Sequence, residues 1–273
     1  MSIVLAILIV IAAVTVAIAA MLLVRRKAPD GSFFHDGDRA AGVFGVLATG
    51  FAVLLGFVVF LAFTSYDAAR AGAEQEALVV AQQIETAQFL PLPASGELTS
   101  ELVCYARSVA GVQWDLMESG TLREQINPWA IELFRTLQTV QPETATEQSA
   151  YDKWLEQTSA REEARSDRIH GAVGVIPTPL WAVLFFSAAL IFVFMLFFAD
   201  SGERAAVQAV LIGSVTAVIT AMLLLLNFLD NPFHGGVGGL QPVAMERTLE
   251  IIEQELQIVG QVDAAPCDAR GNP

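Results

Sequence analysis

The sequence predicts an all-α polytopic membrane protein with four transmembrane helices and an extracytoplasmic helical bundle. Three observations lead there. Of 273 residues, 54% are hydrophobic and only 16% charged, and the mean hydropathy of +0.54 is too apolar for a soluble domain of this length. Four uncharged apolar stretches are each long enough to cross a hydrocarbon core of about 30 Å, which takes roughly 20 helical residues. Between and beyond them, apolar residues recur at helical spacing and are divided by turn signals.

The four spans read as 3–24, 43–64, 179–198 and 205–228. None contains a charged residue, so each can satisfy its backbone as a helix in lipid without burying an unpaired charge. The first is a retained helix rather than a cleaved signal peptide, because no basic residue precedes its apolar run and Arg25-Arg26-Lys27 follows it. Five basic residues, Arg25, Arg26, Lys27, Arg39 and Arg204, fall in the short segments 25–42 and 199–204. The other ten are spread over much longer segments, of which 65–178 has a net charge of −9 and 229–273 of −5. The positive-inside rule therefore puts the two short loops in the cytoplasm and both termini outside, in a bacterial inner (cell) membrane. Residues 1–64 form the first two transmembrane helices with a short cytoplasmic loop, and 65–178 an extracytoplasmic helical domain. Residues 179–228 form the third and fourth transmembrane helices, and 229–273 an extracytoplasmic tail with an amphipathic helix.

Within 65–178 a helical pattern continues out of the second span through Ala73, Ala77, Val80, Ala81 and Ile84 to Phe89, where Pro91 and Pro93 stop it. A second helix carries Leu98, Leu102, Tyr105, Val109, Val112 and Leu116 and ends near Gly120. A third begins with Asn127 as cap and Pro128 in its first turn, and ends before Pro142. A fourth, about 145–170, carries Tyr151, Trp154, Leu155 and Ile169 among many charges. The third span, with Trp181, Phe185, Phe186, Phe192, Phe194, Phe197 and Phe198, reads as lipid-facing, with Trp181 at the interface. In the tail, Met245, Leu249, Ile252, Leu256 and Val259 form one stripe that should pack on the bundle or on a neighbouring subunit, and 263–273 reads as a loose polar end.

No enzymatic constellation emerges, and neither cofactor nor metal is expected. Two cysteines and three histidines, widely separated, cannot supply a zinc finger or a redox motif. Asp230 and His234 have helical spacing, but Pro232, Gly235 and Gly236 favour a solvated turn over a metal pair. A net charge of −14 excludes attraction to nucleic acid, and the carboxylates of 65–178 read as a solvated surface.

The spans are more informative. Gly42, Gly45, Thr49, Ala52 and Gly56 recur at intervals of 3, 4, 3 and 4, marking a small-residue seam on the second. Ala209, Gly213, Thr216, Thr220 and Asn227 form a similar stripe on the fourth. Either both are intramolecular packing seams, or one faces an axis shared by several subunits and lines a pore. Cys104 and Cys267 fall on the same, outer side, where a disulfide between them is expected. An intermolecular bridge or two unrelated thiols are the alternatives.

Several segments also carry a resemblance. Leu55-Gly56-Phe57-Val58-Val59-Phe60 leads through Tyr66, Asp67 and Arg70 to Glu74 and Glu76. Tyr105 and Val109 lead to Gln113-Trp114. Arg165 and Arg168 precede Pro179-Leu180-Trp181, and Leu229-Asp230-Asn231-Pro232-Phe233-His234-Gly235 follows the last span. Together these resemble a bacterial family of unknown function described as bestrophin-like, over most of 43–242, with Tyr66, Trp114, Trp181, Asp230, Pro232 and Phe233 as its motif residues. The resemblance implies four spans per subunit and, by analogy with bestrophins, a pentameric anion channel whose termini and large domain are cytoplasmic. The charge count instead places the bulk outside, where an acidic domain would concentrate cations at a pore mouth. Two functions follow: a homo-oligomeric channel or pore in the lipid bilayer, or a non-conducting accessory subunit of a larger membrane complex with the bundle as its binding module.

Overall fold

The computed structural model describes residues 3–120, 127–259 and 265–273. It is helical, with no strand among the described residues: α1 Ile3–Arg25, α2 Gly37–Ala87, α3 Ala94–Ser108, a π-helix Val109–Gln113, α4 Trp114–Glu118, α5 Pro128–Thr139, α6 Ala145–His170, α7 Thr178–Phe197, α8 Ala205–Leu229 and α9 Val243–Val259. Helices α1, α2, α7 and α8 are long and apolar enough to cross a membrane. The chain divides into two compact units.

The first unit comprises Met1–Ser65, Gly174–Asp230 and Gly236–Gly238. Its interior is a small apolar cluster in which Ala17 and Met21 of α1 meet Ile212 of α8, flanked by Phe192 and Met195 of α7. Gly213 is buried, and a Cβ there would lie 3.4 Å from Val14 and 3.5 Å from Ile18, so the small residue sets the α1–α8 spacing. Many large apolar side chains stay uncovered, Val46, Phe186 and Val210 among them, as lipid requires. The aromatic face of α7 is only partly of this kind. Phe185 and Phe186 are exposed, but Phe194 stacks on Phe44 at 5.8 Å, Phe198 meets it edge-on at 6.0 Å, and both also close on Phe34. The expectation of a lipid-facing helix is corrected for this end of α7, because Phe34 of the 26–36 connection and Phe44 of α2 supply aromatic partners that periodicity does not reveal. At the same end Arg25 donates to the carbonyls of Asp200, Ser201 and Glu203, tying the two short loops together.

The second unit comprises Tyr66–Val173, Asn231–Gly235 and Gly239–Pro273. Its core gathers Val80 and Ile84 of α2, Leu98 and Leu102 of α3, Trp129 and Leu133 of α5, Trp154 of α6, and Met245 and Ile252 of α9. Leu249 and Leu256 pack against this core from the α9 stripe, while the side chain of Val259 lies outside the described residues. Local signals set the helix starts. Asn127 accepts from Trp129 N at 3.0 Å ahead of Pro128, and Thr144 with Glu147 forms a capping box.

The chain end departs from expectation. Residues 263–264 lie outside the described residues, but 265–273 is packed rather than loose. Cys267 is disulfide-bonded to Cys104, with the Cα atoms 5.7 Å apart. Trp129 Nε1 donates to the Gly271 carbonyl at 2.7 Å, and Asp268 accepts from the backbone of Arg270 and Asn272. Gly271 has φ +76°, and any side chain there would strike the backbone at Ser108. Polar composition concealed this, because the segment is held by a covalent bond and backbone contacts rather than by apolar burial.

The disulfide closes a loop across 163 positions. In the chain-entropy limit such a loop is worth up to about 5 kcal/mol. Cys267→Ser is therefore expected to lower the apparent Tm of the detergent-solubilised protein, and a reductant should bring the wild type down to the same value. An unchanged Tm in both would show that the bridge adds no stability.

Candidate functional site

A polar cluster is buried in the second unit. It begins with Gly72. A Cβ at that position would sit 2.8 Å from the Ala164 carbonyl oxygen and the Arg168 amide nitrogen, so only glycine lets the backbones of α2 and α6 approach this closely. One turn later on α2 comes Glu76, and opposite it on α6 is Arg168, both with fully buried side chains. Arg168 Nε donates to one Glu76 carboxylate oxygen and Nη2 donates to the other at 3.1 Å. This is a bidentate pair with neither side chain exposed.

Two further elements complete its coordination. Tyr105 of α3 donates to Glu76 at 2.6 Å, and Gln113 accepts from Arg168 Nη2 at 3.2 Å. Gln113 is the last residue of the π-helix, whose wider turn carries the side chain inward to 4% exposure. A second arginine, Arg161, lies one α6 repeat away, its guanidinium 4.7 Å from the centre of the Tyr105 ring. It donates to Gln83 at 2.9 Å, which in turn donates to Thr158 at 3.0 Å.

Burial, and then the charge of Glu76, push the Tyr105 phenol well above its ordinary range, so the hydroxyl remains a donor. For Arg168 burial works against the charge, but the attraction and hydrogen bonds of Glu76 outweigh it and the net direction is upward. The cluster holds fixed charge. It joins α2, α3, the π-helix and α6 through charge-assisted hydrogen bonds.

Reading every carboxylate of 65–178 as solvated surface missed Glu76. The signal was present: Gln157, Arg161, Ala164 and Arg168 follow buried Trp154 at intervals of 3, 4, 3 and 4 along α6, and Glu76 adjoins the Ala73, Ala77, Val80 stripe of α2. Charged residues in a core stripe call for a partner on the facing helix.

The remaining motif residues form smaller constellations. Trp114 meets the Phe233 ring edge-on at 5.2 Å and donates to the Leu240 carbonyl at 3.4 Å, with Tyr66 packed alongside. The Pro232 carbonyl accepts from Leu240 N at 2.8 Å, closing that turn. In the first unit Asp230 accepts from Ile176 N at 3.0 Å and from Trp181 Nε1 at 3.4 Å, which makes it a clasp between the end of α8 and the approach to α7. No group of three or more metal-ligating side chains occurs among the described residues.

The two small-residue stripes meet different fates. Gly42, Gly45, Thr49, Ala52 and Gly56 of α2 are all exposed, and a Cβ at Gly42, Gly45 or Gly56 would meet nothing within 4 Å. On α8, Ala209 and Gly213 pack on α1, whereas Thr216, Thr220 and Asn227 line a groove of about 670 Å³ between α7 and α8.

The buried pair yields a direct test. Glu76→Gln leaves the Arg168 charge buried without its partner, a defect of about 3–5 kcal/mol. The variant should show a markedly lower apparent Tm, and Glu76→Leu combined with Arg168→Met should recover most of the loss. If Glu76→Gln melts like wild type, the pair does not hold the bundle.

Against this geometry the chain can be placed among known proteins. The Bestrophin-like domain model matches residues 7–239. A variant of a bacterial bestrophin homologue from Klebsiella pneumoniae is 15% identical, with a TM-score of 0.63 over 92% of this chain and 99% of that one. A second variant of that homologue gives 14% identity and a TM-score of 0.63 over the same shares. A crystal structure described only as a membrane protein gives 16%, a TM-score of 0.61, and 95% and 99% coverage. None of the curated proteins compared with the chain matches it. At these identities the likeness establishes the fold, and the family model covers most of the sequence. The chain therefore belongs to the Bestrophin-like domain family.

Proposed function

We propose that this chain is the subunit of a homo-oligomeric ion channel in the bacterial inner membrane, with the α2 stripe Gly42, Gly45, Thr49, Ala52 and Gly56 facing the shared axis. The observation that carries the reading is that this stripe is uncovered within the subunit. Small side chains on a membrane-spanning helix normally serve close packing, and an uncovered row of them leaves room beside the helix for a neighbouring subunit or for water and ions. Family membership supports conduction, since bestrophins are channels. The acidic segments 65–178 and 229–273 would concentrate cations rather than anions at a pore mouth on their side.

The termini and the bundle are placed outside the cytoplasm in this reading. Two independent features support that direction: the concentration of basic residues in the two short loops, and the Cys104–Cys267 disulfide, which persists in an oxidising compartment. Single cysteines at exposed His35 and exposed Ser149 test it. In intact spheroplasts an impermeant maleimide should label Ser149→Cys and spare His35→Cys, and the reverse pattern would invert the topology.

Conduction is tested with protein reconstituted in liposomes. The purified chain should run as an oligomer and carry a cation flux that Gly45→Trp cuts several-fold without changing assembly. A monomer without flux would remove the proposal, and a non-conducting protein that co-purifies with a stoichiometric partner would replace it with the accessory-subunit reading.

A further inference from the structure

The segment 265–273 lies along the stretch of the second unit that contains the π-helix. Cys104, Ser108, Gly111 and Asp115 follow one another at intervals of 4, 3 and 4 through α3, the π-helix and α4, and each of them meets the segment. Cys104 is bonded to Cys267. The backbone at Gly271 abuts that at Ser108, and a Cβ on Gly111 would fall 3.2 Å from the Arg270 carbonyl oxygen. The Arg270 guanidinium pairs with Asp115, and the Gly271 carbonyl accepts from Trp129 Nε1 at 2.7 Å. The same π-helix also serves the buried cluster, because Gln113 at its end accepts from Arg168 and donates to Ser108 at 3.4 Å. Turns of this kind are rare and concentrate at functional sites, and this one is held by the chain end on one hand and by Arg168 on the other.

The two sulfurs of the bridge differ in access. Cys104 is wholly buried, whereas Cys267 is partly exposed. Arg107 Nη1 lies 3.9 Å from Cys267 Sγ, while its Nη2 pairs with Glu253 at 2.9 Å. Thiol–disulfide exchange requires a thiolate to reach a sulfur, so access selects Cys267, and the neighbouring guanidinium attracts the approaching anion. Once the bridge is open, the ion pair between Arg270 and Asp115 is exposed on both sides and holds the segment only weakly.

We infer that Cys267 is a modification site for small thiols, and that its modification unlatches 265–273 from the π-helix. The small thiol attacks Cys267 Sγ as its thiolate. The bond between Cys104 and Cys267 breaks as the new S–S bond forms, and Cys104 leaves with the electron pair and takes up a proton. A second small thiol then attacks the sulfur of the first and releases Cys267, so that two small thiols are oxidised to their disulfide while the protein bridge is reduced to two thiols. The latch lies wholly within the second unit and does not depend on conduction.

The test uses the full-length, folded protein in detergent with excess reduced glutathione, followed by alkylation and peptide mass spectrometry. The glutathione adduct should sit on Cys267, with Cys104 alkylated as a free thiol. Hydrogen exchange of the same sample should quicken at 109–115 several-fold more than at 145–155 of α6. Cys104→Ser combined with Cys267→Ser should exchange quickly at 109–115 without glutathione and show no response to it, and the wild-type measurements decide the matter alone if that variant does not fold. An adduct on Cys104 would mean that access does not select the site. Absence of any adduct would mean a purely structural bridge. Equal quickening of 109–115 and 145–155 would mean that the bridge staples the whole bundle and does not latch this turn. A response of the double variant to glutathione would mean that the effect does not pass through the bridge. Each of these overturns the assignment.

Discussion

The bundle is organised around one buried ion pair, Glu76 with Arg168. Apolar contacts between α2 and α6 are non-directional, and helices faced with alanine, valine and leucine could slide by a turn at modest cost. The carboxylate and the guanidinium admit one geometry, because any other leaves a charge in an apolar interior. Gly72 removes the side chain that would hold the two backbones apart, and Tyr105 and Gln113 satisfy what the pair leaves over. The register of α2 on α6, the inward turn of the π-helix and the seat of α3 are then consequences of one electrostatic requirement.

Legibility in the sequence followed the range of the determining interaction. The spans and the starts of α5 and α6 depend on residues within one or two turns, and so on signals such as Asn127-Pro128 and the Thr144 and Glu147 capping box. The π-helix was not legible, since its extra residue per turn is set by where Gln113 and Trp114 find partners on other elements. The seating of 265–273 was hidden for a similar reason. Its polar residues look solvated until Trp129 and Cys104, more than a hundred positions away, are brought to them. Glu76 belongs to an intermediate class, where the pattern was readable but a prior against buried carboxylates prevailed.

The two small-residue stripes show how far spacing alone can carry an argument about membrane helices. Their sequence pattern is nearly the same. A Cβ on Gly213 would meet Val14 and Ile18, while one on Gly42, Gly45 or Gly56 would meet nothing within 4 Å. In water an exposed stripe of this kind would be unremarkable. In lipid, where apolar side chains gain nothing from meeting one another, a row of glycines matters only through what approaches it. The identity of the approaching surface is therefore the functional question.

Fold and insertion direction are separable in such a molecule. A helix packs through its side-chain surface, and four apolar helices pack the same way whichever end faces the cytoplasm. The positive-inside rule reads direction from residues that contribute little to packing: Arg26, Lys27 and Arg204 are exposed in the short connections, and Arg39 is exposed in the first turn of α2. Only Arg25 serves both purposes, through its bonds to the loop carbonyls. At about 15% identity, the likeness to solved structures speaks for the fold and not for the positions of such charges. Orientation, and with it the sign of charge that a pore would present to each side, must accordingly be argued from this chain's own loops and its own disulfide.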